Sequence, residues 1–66
     1  MKQREAFKIF AQEGFVFLRE RGDHMIFKSV NTGVLLVFPR HHKEVGTRYV
    51  NSLLSSAKRA EHAIYE

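Results

Sequence analysis

The turn punctuation in the middle of this chain limits its fold more than any other feature. Three apolar runs, Phe15-Val16-Phe17-Leu18, His24 to about Val30, and Val34-Leu35-Leu36-Val37-Phe38, are separated only by Arg21-Gly22-Asp23 and Asn31-Thr32-Gly33. Aromatic and β-branched residues suit strands, whereas Gly, Asp and Asn suit tight turns. Connections this short join neighbours, so the three strands are expected to pair as an antiparallel meander. Gly33 offers a positive φ to the second loop. Pro39 cannot donate to a sheet ladder, which ends the third strand.

The flanks read as helices. Residues 2–13 are good helix formers with no Gly or Pro, and Ala6, Phe7 and Phe10 share one face. Gly14 is the expected C-terminal cap. A polar, basic loop, Pro39-Arg40-His41-His42-Lys43-Glu44-Val45-Gly46, precedes a helix from about Thr47, capped by Gly46 or Thr47. Val50, Leu53, Leu54, Ala57 and Ile64 form its apolar stripe, with Lys58, Arg59, Glu61 and Glu66 opposite. The pattern weakens after Ala60, where fraying is expected. The predicted fold is α+β in the order α-β-β-β-α, a three-stranded antiparallel sheet with two helices on one face.

At 66 residues the chain is expected to be one domain, residues 1–66. A domain this small buries only about 60% of the surface its unfolded chain exposes, so its stability is marginal. With no cysteine there is no disulfide and no thiolate metal site, which fits a reducing compartment. No apolar run approaches the roughly 20 residues of a membrane span, and Met1-Lys2-Gln3-Arg4-Glu5 lacks the apolar core of a signal peptide. A cytoplasmic location and no membrane partner are expected. Eleven Lys and Arg against seven Asp and Glu give a net charge of +4. That bias favours a polyanionic partner such as nucleic acid, although a basic surface also serves solubility alone.

His24 stands out because the Gly22-Asp23 turn delivers it to the first position of an apolar strand. In a regular strand His24, Ile26 and Lys28 share one face, and Met25 and Phe27 the other. Met25 and Phe27 suit the core, which turns His24 outward. An outward imidazole suits RNA cleavage: neutral, it takes the 2′-hydroxyl proton; protonated, it donates to the departing 5′-oxygen. Histidine normally titrates between about pH 5 and 8, where such transfers are useful. Lys28 could stabilise phosphate charge. The bland alternative is an exposed strand-end histidine.

His41 and His42 are adjacent and point apart in an extended loop, without the further ligands that a metal site needs. One of them could be a second proton-transfer group or, protonated, bind phosphate; otherwise the loop is simply solvated. His62 has no partner pattern. Arg21, Lys28, Arg40, His41 and Lys43 are the candidate RNA contacts, and Arg4, Lys8, Arg19, Arg48, Lys58 and Arg59 supply further cations. The first and third strands are apolar on both faces, which a sheet with one face in water does not need. Either the last helix wraps further than expected, or the second face meets a protein, self-association included.

Five pieces in order carry a family resemblance. They are Gly14-Phe15, Gly22-Asp23-His24 with Phe27, Val37 and Pro39 with His41, Lys43-Glu44, and Gly46-Thr47. In these the chain resembles the HicA toxins of bacterial type II toxin–antitoxin systems, small mRNA interferases with a fold like the double-stranded RNA-binding domain. It departs in the Phe38 between Val37 and Pro39, a slightly short loop after His41 and a long last helix. The resemblance implies a metal-independent endoribonuclease without cofactor, with His24 catalytic, mRNA as substrate and a HicB-type antitoxin as masking partner. The acid or base role of His24 stays open, as does the second group: water, His41, a lysine or the substrate itself. The alternatives are a non-catalytic RNA-binding module and a protein-interaction domain of the same fold.

Overall fold

The structure, a computed structural model, describes residues 1–64. Its elements are α1 (Gln3–Gln12), β1 (Phe15–Arg21), β2 (His24–Ser29), β3 (Leu35–Pro39) and α2 (Thr47–Ile64). The strands form one antiparallel sheet in the order β1-β2-β3, as the short connections require. Gly14 ends α1 with φ +87°, and its N–H donates to the carbonyl of Ala11. Pro39 is the last residue of β3 and the cross-strand partner of His24.

Cross-strand register assigns each residue to a face. Phe15 lies opposite Ser29 and Phe17 opposite Phe27, but Arg19 lies opposite Ile26, Glu20 opposite Met25 and Arg21 opposite His24. One extra residue, Leu18, therefore bulges from β1. Side chains alternate along a strand, so the bulge reverses the parity of everything after it. Arg19 and Arg21 join the face of His24, Ile26 and Lys28, while Glu20 joins the face of Met25 and Phe27.

Both helices cover the Phe27 face. Ala6 and Phe10 from α1 and Val50, Leu54 and Ala57 from α2 form one buried cluster with Phe15, Phe27, Leu36 and Phe38. Phe7, Phe10, Phe27 and Phe38 interlock, with ring centroids of contacting pairs 5.2–6.3 Å apart, mostly tilted or edge-on. Each fully buried ring contributes roughly 1.5–3 kcal/mol of transfer free energy, so this quartet is the main stabilising unit of a small chain.

Three details differ from expectation, and a fourth expectation falls outside the described residues. α2 continues past Ala60 to Ile64, and Ile64, expected on the apolar stripe, is exposed. Glu61 faces inward: its carboxylate accepts from the hydroxyls of buried Ser29 (2.6 Å) and of Thr32 (2.8 Å). The reason is helical spacing, since residue 61 follows 50, 54 and 57 on the same stripe. Val45 belongs to the core rather than to a polar loop, because residues 1–3 pair with residues 43–45 and press that segment inward. Glu66, expected on the polar side of the last helix, lies outside the described residues.

Candidate nucleic-acid interface

The helix-free face carries nine positions: Val16, Arg19 and Arg21 from β1, His24, Ile26 and Lys28 from β2, and Leu35, Val37 and Pro39 from β3. None is a carboxylate. Ile26 is buried at the centre (7% exposed), while Val16, Leu35 and Val37 are about half exposed around it. Arg19, Arg21, His24 and Lys28 are exposed, and no carboxylate among the described residues pairs with them. The face combines an aliphatic centre with uncompensated positive charge.

His24 sits at one end of this face. Gly22 takes φ +59° and Asp23 does not take a positive φ, the pattern of a two-residue turn with Gly in its first central position. The turn sets Arg21 directly across from His24 on one side, and Pro39 lies across on the other. The backbone N–H of Arg40 donates to the carbonyl of Asp23 at 2.7 Å, and His41 Nε2 lies 3.3 Å from Asp23 Oδ1. The basic loop is thus fastened to the turn that carries His24. Its far side is held by Gln3, whose side-chain amide donates to the Arg40 carbonyl at 2.9 Å and whose backbone N–H donates to Lys43.

The expected contact residues separate into groups. Arg21 and His41 gather around the His24 turn. Arg40 is beside it, but its guanidinium lies 3.5 Å from Glu20, on the helix side. Lys43 is two residues beyond His41, where the loop meets the N-terminal segment. Lys28 is at the opposite end of β2, four residues or about 13 Å from His24 at strand rise, with its aliphatic stem near Gly33. It serves a different stretch of any bound chain than His24 does.

Three participants were not singled out from sequence. Asp23 was read only as a turn residue, though a carboxylate beside a His-containing loop is a natural partner for an imidazole. Arg19 reaches the free face only through the bulge, which no local signal announces. Tyr49 stands off the Val50–Leu54 stripe, which marks it as an exposed aromatic, and its ring contacts those of Phe38 and His42. Among the described residues no three His, Cys, Asp or Glu side chains cluster as a metal site requires, and no described helix is long and apolar enough to cross a membrane.

The fold and this face define a small basic α-β-β-β-α protein, built like a double-stranded RNA-binding domain, that presents a histidine at the end of an acid-free sheet surface. The family described as the HicA toxin of bacterial toxin–antitoxin matches residues 4–60, nearly the whole chain. The chain belongs to the HicA toxin family, and with it to the toxin side of a toxin–antitoxin partnership. No curated protein and no solved structure matches it.

Proposed function

We propose that this toxin is a metal-independent endoribonuclease that cleaves mRNA through His24, acts as one domain in the cytoplasm, and is held inactive by a HicB-type antitoxin. The observation that carries the reading is the placement of His24: exposed, at a hairpin end, on a face with no carboxylate and with Arg21 across from it. Phosphate of an RNA chain is drawn to such a face and not repelled at any of its nine positions. In the reaction a base removes the 2′-hydroxyl proton and the 2′-oxygen attacks the adjacent phosphorus. The bond from phosphorus to the 5′-oxygen breaks, and an acid protonates that oxygen. The products are a 2′,3′-cyclic phosphate and a 5′-hydroxyl. His24 supplies one of the two transfers. His41, held near the same turn by Asp23, is the best placed side chain for the other.

The antitoxin reading rests on the family and on the aliphatic centre of the same face. Val16, Leu35 and Val37 are an apolar patch rimmed by cations, suited to a partner with an apolar centre and acidic rim. The same patch is the surface through which free toxin would self-associate.

The test is cleavage of a long single-stranded RNA in EDTA by the wild type and by His24→Ala, at matched fold content. Cleavage by the wild type alone, leaving cyclic-phosphate ends, supports the reading. No cleavage by either protein moves the function to a non-catalytic RNA-binding or interaction domain. Equal cleavage by both removes His24 from the mechanism.

A further inference from the structure

From core to solvent, three rings form a ladder beside the basic loop. Phe38 is fully buried, Tyr49 packs on it at 6.5 Å between centroids, and His42 leans on Tyr49 at 6.2 Å. The inner end is anchored in the phenylalanine core. The outer end is open: Tyr49 remains 38% exposed and His42 is exposed. The 59° angle between the His42 and Tyr49 rings leaves a wedge and not a closed stack. Arg40, Lys43 and Arg48 are sequence neighbours of the pair, with Glu44 the one acid in the segment. His42 is three positions along the chain from Pro39, the cross-strand partner of His24, a span of at most about 11 Å.

We infer that Tyr49 and His42 form a nucleobase-stacking platform that holds an unpaired base of the RNA on the helix side of the Pro39 end of the sheet, where the strand passes round that end toward the phosphate presented to His24. This rests on the ribonuclease reading and deepens it by naming the substrate class: RNA whose bases near the scissile phosphate are unpaired. An anchored aromatic ring flanked by cations is what single-stranded nucleic acid needs, because every base has a face to stack and every phosphate a charge to neutralise. A duplex hides its base faces and gains nothing from the platform.

The test measures binding of a labelled single-stranded RNA and of the matching duplex in a His24→Ala background, where the probe survives. Tyr49→Leu is expected to weaken single-strand binding about 5- to 150-fold, the range for losing a base–aromatic stack. The slope of affinity against salt stays unchanged, because no phosphate contact is lost. Tyr49→Phe restores the affinity, His42→Ala weakens it less than Tyr49→Leu, and duplex affinity is insensitive to all three. A thermal melt of Tyr49→Leu itself guards against loss of fold in the leucine variant, and His42→Ala, at an exposed residue, tests the platform without touching the core. Single-strand affinity within twofold of the parent for both Tyr49→Leu and His42→Ala overturns the platform while leaving the ribonuclease reading standing. A loss accompanied by a shallower salt slope overturns it as well. Failure of the parent to bind RNA at all removes both.

Discussion

The two faces of this sheet come from the same three strands and have opposite chemistry. On the helix-covered face Phe15, Phe27, Ser29, Leu36 and Phe38 are all at most 3% exposed, and aromatic rings dominate. On the free face only Ile26 is buried, the rest is aliphatic or cationic, and no carboxylate occurs. Stability and presentation are therefore divided by residue parity, not by region of sequence. Adjacent residues such as Phe27 and Lys28, or Glu20 and Arg21, belong to different tasks. Substitutions on one face should change folding with little effect on recognition, and substitutions on the other should do the reverse.

The largest separation is expected from one residue on each face. His24→Ala should reduce RNA cleavage by about 10²–10⁴-fold, the usual worth of a positioned proton-transfer group, while its melting temperature stays close to that of the parent. Phe38→Ala should destabilise by about 3–5 kcal/mol, which in a domain of marginal size leaves a substantially unfolded population at 37 °C. Urea titration by circular dichroism measures it. If Phe38→Ala melts like the parent, the aromatic quartet is not the stabilising unit. If His24→Ala unfolds, its loss of activity says nothing about chemistry.

A smaller effect belongs to the covered face alone. Glu61→Ala leaves the buried Ser29 hydroxyl without its acceptor and should cost about 1–3 kcal/mol. Ser29→Ala should recover part of that loss in the double variant, since an absent hydroxyl needs no partner. Additive losses in that double variant would mean that the two groups do not depend on each other.

Element order, the antiparallel meander, the Gly14 cap and the outward placement of His24 were legible because each follows from local rules: alternation, turn residues and helical spacing. The covered residues Ala6, Phe10, Val50, Leu54 and Ala57 were readable for the same reason. What escaped depended on distant partners. The bulge at Leu18 is a property of two strands, so the face of Arg19 and Arg21 could not be read from β1 alone. Val45 is buried by its pairing with Met1, 44 residues away. Glu61 looked like surface because it is charged, yet its spacing from Ala57 already placed it on the inner stripe. Around the candidate site, His24, Arg21 and His41 were legible together, whereas the Asp23–His41 contact and the Tyr49–His42 pair needed the loop's path.

The smallest predicted effects make the sharpest comparison, because they fall on two neighbouring residues. Arg21 lies on the free face across from His24, and Glu20 lies on the covered face, 3.5 Å from Arg40. Arg21→Gln should weaken RNA binding and lower the slope of log affinity against log salt by about one phosphate contact. Glu20→Gln should cost under about 1 kcal/mol of stability, because both partners are about half exposed and water screens the pair. It releases the Arg40 guanidinium beside the His24 turn, so RNA binding should strengthen slightly and the salt slope should steepen. Alternation alone sends the side chains of residues 20 and 21 to opposite faces, and the Leu18 bulge decides that it is Arg21 that shares the face of His24. Net charge alone also predicts opposite signs, so the size of the Arg21 effect decides: if Arg21→Gln weakens binding no more than Lys8→Gln, an exposed cation on α1, then net charge alone governs RNA affinity and the acid-free face has no special claim on the substrate.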